Sequence, residues 1–301
     1  MLNTNEVRIE TCTKCNYSCI FCPHSTKFER EKILMDYNTF EVIVNKIKDE
    51  LPNITDITIS GFGEAFLDFN IISKIKLCRT LGYKVHILTN GSLLNKHYIN
   101  MINEYQVDDI RISLHAVEEK PYRKITKSKD LKIVLDNIDN IINKTNLNLI
   151  LTFDIVKGIN EDQVEKAKDK YSNSVIIEAW KPHNWVNAFT YRKGDSVKST
   201  CGRPWKSPYQ IQVDGTVNMC CFDYNGKLLL GNFLNQTMKE IFNGQEYLNL
   251  KKHHENGTLD TSSYICKNCD QRKDQSDIII YNNKFKSKDR LNRTSTTYKK
   301  I

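Results

Sequence analysis

Six short runs rich in β-branched residues, with amphipathic stretches between them, constrain this 301-residue chain more than any other feature. The runs are residues 7–11 (VRIET), 54–60 (ITDITIS), 84–89 (KVHILT), 109–115 (DIRISLH), 147–156 (LNLILTFDIV) and 174–180 (SVIIEAW). Helical periodicity occupies the intervals near 37–50, 70–81, 92–105, 129–144 and 161–171. Strands joined through helices of this length pair in parallel, because a tight hairpin cannot connect them. Right-handed crossovers then build either a barrel or an open wound sheet, and in both forms functional groups collect at the carboxyl ends of the strands.

The pattern changes after about residue 190. The stretch CGRPWKSPYQIQVDGTVNMCCFDYNGKLLLGNF (201–233) reads as a small hairpin turning at Asp214-Gly215, followed by a helix near 237–250 and a CKNC motif at 266–269. This divides the chain into a core over 1–190, a cysteine-bearing unit over 191–275 and a basic polar tail over 276–301. From Arg272 to the terminus, nine Lys or Arg face three Asp, so most of the net charge of +8 sits in this last segment. A solvated, partly disordered extension is the expectation for it, and a nucleic-acid partner is not expected. The sequence shows neither a signal peptide nor a run of about 18 apolar residues, which predicts a cytoplasmic protein with no membrane association. Ten cysteines in that compartment point to metal or cluster ligation rather than disulfides.

Four of those cysteines fall within TCTKCNYSCIFCPHS (11–25), directly after the first strand. Cys15, Cys19 and Cys22 are spaced C-x3-C-x2-C, and thiolates are soft ligands suited to zinc or iron–sulfur clusters. Cys12 leaves two readings open. With it, two C-x2-C pairs make a closed four-cysteine zinc knuckle. Without it, three cysteines hold a cubane and leave one iron free for another ligand.

The loop, with Phe21 just before its third cysteine, resembles the signature of the radical S-adenosylmethionine (radical SAM) enzymes. Other stretches resemble that family's motifs in the right order: SGFGEAFLD (60–68) its Gly-Gly-Glu motif, with Phe62 in place of the first glycine; TNGSLL (89–94); RISLHA (111–116) its ribose motif; and VKGIN (156–160). Taken singly, GFG and TNG are ordinary turns and Ser113 an ordinary strand residue. The resemblance, over roughly residues 7–180, implies an α/β fold: a partial (β/α)6 TIM-like barrel followed by a small β-hairpin/helix cluster-binding domain. It also implies that Cys15, Cys19 and Cys22 hold a [4Fe-4S] cluster whose free iron chelates S-adenosylmethionine. Glu64 would accept from the methionine ammonium, and Gly61 and Gly63 would let the backbone approach the ligand. Asn90 would join the cofactor site, Ser113 would bond the ribose, and Phe21 and Asn160 would contact the adenine. Cys12 becomes a bystander, and Tyr122 with Arg123 becomes a candidate for holding a carboxylate.

The second cysteine set, Cys201, Cys220, Cys266 and Cys269, makes an adequate zinc ribbon on spacing alone. Beside a radical domain it resembles the SPASM/twitch extension of the same family. Five cysteines rather than seven imply the shorter twitch form, with one auxiliary [4Fe-4S] cluster. Cys220 rather than Cys221 is assigned as ligand because the family's cysteine falls three residues after the valine of DGTV. Cys221 is then a structural thiol or a hydrogen-atom donor, and Cys78 a core residue.

The function implied is reductive cleavage of S-adenosylmethionine to a 5′-deoxyadenosyl radical and abstraction of a substrate hydrogen. The preferred outcome is a two-electron, dehydrogenase-like oxidation of a small molecule, with a low-potential donor such as flavodoxin or ferredoxin as partner. A peptide maturase that epimerises or crosslinks is the alternative, weakened by the mere fourteen residues before Cys15, where many such enzymes carry a peptide-binding domain. A non-catalytic zinc module associated with RNA is the rival from another class. Trp180, His183 and Trp185 are expected at the domain junction, and no catalytic acid or base is assigned.

Overall fold

The computed structural model describes residues 2–193, 197–273, 278–282 and 298–300. Six parallel strands, β1 (Glu6–Ile9), β2 (Asp56–Ile59), β3 (Lys84–Thr89), β4 (Asp109–Ser113), β5 (Asn148–Asp154) and β6 (Ile176–Trp180), lie side by side in sequence order. The helices α1 (Tyr37–Glu50), α2 (Ile71–Thr80), α3 (Lys96–Glu104), α5 (Leu131–Lys144) and α6 (Gln163–Tyr171) lie between them in sequence. This is the α/β architecture of a partial (β/α)6 barrel, and element edges fall within a few residues of the sequence expectation.

The two faces of the sheet differ sharply. Val7, Ile9, Ile57, Ile59, Val85, Ile87, Ile110, Ile112, Leu151, Phe153 and Ile177 are buried in one core cluster that also holds the apolar residues of the helices. Most alternate positions are polar: Glu6 and Arg8, Asp56 and Thr58, His86, Asp109 and Arg111, Thr152 and Asp154, Glu178; Leu88, Ile150, Ile176 and Trp180 are the apolar ones. Side chains on a strand alternate with period two, so the sequence aims one set at the helices and the other at the inside of the barrel. The inner set is satisfied across strands. Thr58 donates to Glu6 of the neighbouring strand at 2.6 Å, Arg8 to Glu6 within β1 at 2.9 Å, and Arg111 pairs with Glu178. His86 stands between Asp56 (2.8 Å) and Asp109 (2.5 Å). A parallel sheet covered on both faces would read as continuous aliphatic runs; this one presents a charged interior instead.

Helix α4 (Glu119–Thr126) was not legible as a helix, since Pro121 reads as a breaker. Proline is tolerated in a first turn, where the N–H lacks an intrahelical acceptor. The far end of α4 matters more: its carbonyls at Ile125 and Thr126 accept from the N–H groups of Ile20 (2.9 Å) and Ser18 (3.2 Å) in the first cysteine loop.

The C-terminal unit continues the same sheet. Strand β7 (Tyr209–Ile211) pairs in parallel with β1, β8 (Thr216–Asn218) pairs antiparallel with β7, and β9 (Leu229–Asn232) pairs with β8. The β7–β8 turn uses Gly215 at φ +81°, in the left-handed region that an L side chain disfavours. Helices α7 (Arg203–Lys206), α8 (Met238–Asn243) and α9 (Gln245–Glu255) complete the unit. Phe233, Ile241, Phe242 and Tyr247 are buried in the same apolar cluster as the barrel strands.

The range expected as a solvated tail needs correction in one part. Residues 278–282 form strand β10, antiparallel to β6 with Ile279 opposite Ala179, and 298–300 form β11 beside it. The edge N–H and C=O groups of β6 recruit this segment as a sixth-strand cover. The other residues of that range lie outside those described. Among the described residues, no helix is long and apolar enough to cross a membrane.

Candidate active site

The first cysteine loop leaves β1 at its carboxyl end and is pinned from three sides. The N–H groups of Ser18 and Ile20 bond to α4; Thr13 N–H donates to Ile33 O (3.0 Å), and the Thr13 hydroxyl to Glu31 O (2.8 Å). Glu64 N–H donates to Lys14 O at 2.7 Å, and a His24 ring nitrogen lies 2.8 Å from Thr13 O. Cys15, Cys19 and Cys22 are brought together here. Burial, then the mutual proximity of the thiols, pushes Cys22 up to about 12 and Cys19 well above the usual range. Three thiols in this state ionise only when a strongly cationic group shares the site, which suits an iron cluster. The N–H of Tyr17 points at Cys15 Sγ (3.4 Å), and backbone donors at Lys14 and His24 serve the sulfurs of Cys12 and Cys22. Cys12 is otherwise occupied: its thiol donates to Lys14 O at 3.2 Å, and its backbone bridges to Leu34.

The Gly-Phe-Gly-Glu stretch lies against this loop, for a reason that differs from the expected one. A Cβ on Gly63 would stand 2.3 Å from Cys12 O and 2.6 Å from Lys14 O, and one on Gly61 would meet Glu10 Cγ at 2.3 Å. The glycines thus admit the chain's own cysteine loop and the Glu10 side chain. Glu64 is also spent on the protein. Its Oε1 accepts from the Thr89 hydroxyl (2.6 Å) and Phe66 N–H (3.1 Å), and Oε2 accepts from Asn90 N–H (2.6 Å). Only Oε2 keeps an acceptor site for a ligand ammonium. Burial raises the Glu64 carboxyl, and the Asn90 N–H, the Thr89 hydroxyl and the Phe66 N–H oppose it. Asn90 in turn donates to Asn16 Oδ1 (2.8 Å), inside the cysteine loop, so the end of β3 is tied to the cluster loop directly.

The ends of β4 and β5 form the opposite wall. Ser113 is half-buried, in register with Thr152. His115, in the left-handed region at φ +61°, sets its ring edge-on to Phe21 with centroids 4.8 Å apart. Its Nδ1 accepts from Asp154 N–H at 3.0 Å, and burial holds its pKa down to about 3, so it is neutral with the proton on Nε2. Asn160 spends its amide on the protein. It is fully buried; Nδ2 donates to His115 O (2.7 Å) and Asp154 O (2.9 Å), while Oδ1 accepts from Val156 N–H (2.7 Å). It braces the wall that Phe21, Ile125 and Val156 face as a small apolar cluster. Tyr122 is likewise unavailable to a carboxylate: its buried hydroxyl lies 2.8 Å from that of Tyr17. Asp154 was missed by the sequence reading. Burial drives its carboxyl up to about 7, opposed by the Arg192 guanidinium and by a bond from Trp180.

Cys201, Cys220, Cys266 and Cys269, distant in sequence, line one cavity together with Arg203, Met219, Leu250 and Ile265. It holds about 420 Å³ of empty space, counting its mouth. Cys221 is not among its lining residues. Burial, then the Asp270 carboxylate and Cys201, pushes Cys269 up to about 12, and burial with Cys201 and Cys269 raises Cys266 as well. Phe222 N–H lies 3.5 Å from Cys220 Sγ, and the Gln271 backbone serves Cys269, the same residue-plus-two arrangement seen in the first loop. Among the described residues, no three His, Cys, Asp or Glu side chains are set to hold a single metal ion. Soft thiolates of this kind suit iron–sulfur clusters.

Aromatic rings connect the two sets. Phe28 lies 5.8 Å from Phe62, Phe62 5.4 Å from Trp185, and Trp185 5.5 Å from Phe222. His183 packs on Phe222 at 4.5 Å and loses its proton affinity to burial. Phe62, the departure from the resembled motif, is therefore one contact between barrel and C-terminal unit, beside the β1–β7 pairing.

Comparison with known proteins agrees with this geometry. A sequence model of the Radical SAM superfamily matches residues 9–170, and one of the SPASM iron–sulfur cluster-binding domain matches residues 201–270. An uncharacterised protein of Methanocaldococcus jannaschii is 28% identical over 173 residues, 56% of this chain and 55% of that protein. A GTP 3′,8-cyclase of Thermodesulfovibrio yellowstonii is 30% identical over 176 residues, 54% of this chain and 51% of the other. The chain thus spans about half the length of these curated relatives. Among solved structures, BtrN in complex with AdoMet and 2-DOIA superposes with a TM-score of 0.63 at 18% identity, covering 89% of this chain and 94% of BtrN. Streptococcus suis SuiB bound to precursor peptide SuiA gives 0.62 at 12% identity, covering 82% and 66%. At such identities these likenesses speak to fold alone. With the family match extending over more than half of its length, the chain belongs to the radical SAM superfamily and carries a C-terminal SPASM iron–sulfur cluster-binding domain.

Proposed function

We propose that this enzyme oxidises a small polar molecule by two electrons, with Cys15, Cys19 and Cys22 holding the [4Fe-4S] cluster that binds S-adenosylmethionine. Cys201, Cys220, Cys266 and Cys269 hold one auxiliary [4Fe-4S] cluster, in a unit spanning 191–275 that follows a radical core over 1–190. When bound, the first cluster supplies an electron that cleaves S-adenosylmethionine reductively, giving the 5′-deoxyadenosyl radical that takes a substrate hydrogen. The chain's own part is positioning and exclusion of water. Glu64 fixes Thr89 and Asn90, and Asn90 fixes Asn16, so the methionine end of the cofactor meets a preset edge. Ser113 offers a hydroxyl to the ribose, while Phe21, backed by the edge of His115, gives the adenine an apolar wall. Asn160 keeps that wall in place.

The observation that carries the small-molecule reading is the charged inner face of the sheet. Arg8, Arg111, Glu178 and Asp154 lie on that face, and such a lining favours a hydrogen-bonding substrate. The likeness to BtrN supports it at the level of fold. A hydrogen-atom donor at Cys221 would favour a second reading as a peptide epimerase, but the Arg203 and Arg8 guanidinium groups beside it favour the thiolate and weaken that reading. A low-potential flavodoxin or ferredoxin is the fitting reductant, in the cytoplasm.

Anaerobic incubation with dithionite and S-adenosylmethionine tests the class. The expected outcome is 5′-deoxyadenosine from a brown protein holding about eight iron and eight sulfide per chain. A colourless, zinc-loaded protein after anaerobic reconstitution would remove the proposal.

A further inference from the structure

A half-buried cation set among cysteines requires an explanation. Arg203 opens the short helix α7 and lines the auxiliary cavity with Cys201, Cys220, Cys266 and Cys269. Its guanidinium carbon lies 4.6 Å from the centroid of the Phe222 ring, and Nη2 donates to Gln271 Oε1 at 3.4 Å. Among the described residues, no carboxylate pairs with it. A half-buried charge without a carboxylate beside it is unfavourable unless neighbouring groups compensate it. The neighbours that remain are cysteines: Cys201, Cys220, Cys266 and Cys269 line the same cavity, and Cys221 accepts a hydrogen bond from the guanidinium.

We propose that Arg203 is the fixed counter-cation of the auxiliary cluster and sets its reduction potential. This rests on the assignment of an iron–sulfur cluster to these four cysteines. Four thiolates give a cluster net negative charge, and each added electron increases it. A permanent positive charge beside the sulfurs stabilises the reduced state more than the oxidised one, which raises the potential. Arginine suits the task because it stays protonated and its flat fork can lie on Phe222 while donating from its edge. Gln271 positions the fork, and its own backbone serves Cys269. Arg203 is a positioning residue for the electron-accepting site; it is not placed against substrate.

The test uses the full chain with Cys15, Cys19 and Cys22 changed to alanine, so that only the auxiliary cluster is present. Arg203→Gln and Arg203→Lys are reconstituted anaerobically, and the reduced fraction is followed by EPR against solution potential. Arg203→Gln is expected to lower the reduced fraction at a fixed poise at least tenfold, a shift of about 59 mV for a one-electron couple. Arg203→Lys, which keeps the charge, is expected to stay near the parent. Loss of the cluster in Arg203→Gln with retention in Arg203→Lys also supports the charge requirement. Equal potentials in parent and Arg203→Gln overturn the proposal, as does equal cluster loss in both variants with helix content unchanged. A parent protein that binds no iron or sulfide fails at an earlier step, and the cluster assignment and the proposal then fall together.

Discussion

Gly63 lies beneath the first cysteine loop so closely that a Cβ would stand 2.3 Å from the carbonyl oxygen of Cys12. The obstructing atoms are backbone, held by Thr13 and Glu64, and cannot swing aside. Gly63→Ala is therefore expected to displace the loop, at about 1–3 kcal/mol in stability, and to halve the iron retained. Gly61→Ala meets the Glu10 side chain instead, which can rotate, although Glu10 also pairs with Arg30 and accepts from Phe62 N–H at 3.0 Å. The milder effect belongs there. Urea unfolding and iron content of the two variants decide the matter, and equal behaviour would contradict the account.

Glu64 gives a second prediction, because its oxygens face three donors. Glutamine has the same shape but replaces one acceptor with an NH2 group. In Glu64→Gln, either Asn90 N–H or the pair of Thr89 and Phe66 would then face another donor, at about 1–3 kcal/mol. The Asn90–Asn16 tie should loosen, and S-adenosylmethionine should bind roughly tenfold more weakly by calorimetry, since about 1.4 kcal/mol is a factor of ten. Wild-type affinity with an unchanged melting temperature would show that Glu64 is not the brace described.

These two cases also mark what the sequence could convey. The period-two alternation and the helix intervals located the barrel strands, since local burial dictates local pattern. Motif order placed Phe21, Glu64, Asn90 and Ser113 at strand ends. The reasons were less visible. Gly61, Gly63 and Asn160 serve contacts across tens of residues, and nothing local reveals whether a glycine faces a ligand or its own loop. Pro121 concealed α4 because a first-turn proline looks like a breaker until the helix start is known. His115, Asp154 and Arg203 escaped notice because a single charged or ring residue in a strand or turn carries no periodic signal. Their significance comes from neighbours brought in by folding.

Asp154 carries the clearest pH signature. Its carboxyl titrates at about 7 in the folded protein, raised by burial, against an ordinary value of about 3.9 when exposed. The folded state thus holds the proton more tightly than the unfolded state. As pH rises from about 4, the unfolded chain ionises first, and folded stability is lost until about pH 7, above which the loss is complete. Asp154→Asn removes the titration. Its stability relative to wild type should grow between pH 5 and pH 8, by about 1–3 kcal/mol, and level off beyond. Urea midpoints of the cluster-free protein at pH 5, 7 and 8.5 provide the check, and a difference that is constant with pH would sink it.

Cys220 and Cys221 are adjacent, yet only Cys220 lines the auxiliary cavity, while Cys221 faces Arg203 and Arg8 and is drawn down to about 5. The bond from Cys220 is the largest cause, with the two guanidinium groups adding to it against burial. Cys220→Ala should lose about half of the iron and sulfide, whereas Cys221→Ala should keep nearly all of it. The reverse result would exchange the two assignments.

The two thiol sets should also separate in chemistry. Cys19 sits in the loop that meets Asn90 and Phe21, and Cys266 lies in the second cavity, linked to the first site through Phe62, Trp185 and Phe222. Cys19→Ala should abolish 5′-deoxyadenosine formation under dithionite by more than 100-fold, because no cofactor site remains. Cys266→Ala should leave cofactor cleavage within a few-fold of wild type while losing about half of the iron, since its cavity is built by α7, α9 and the 259–272 turns. Liquid chromatography of 5′-deoxyadenosine beside iron analysis reads both quantities from one sample. Equal loss of cleavage in the two variants would mean that the C-terminal site acts on the first through folding, as the shared sheet between β1 and β7 would allow. Unequal loss would assign cofactor cleavage to the first loop alone and leave the second site to the substrate's electron.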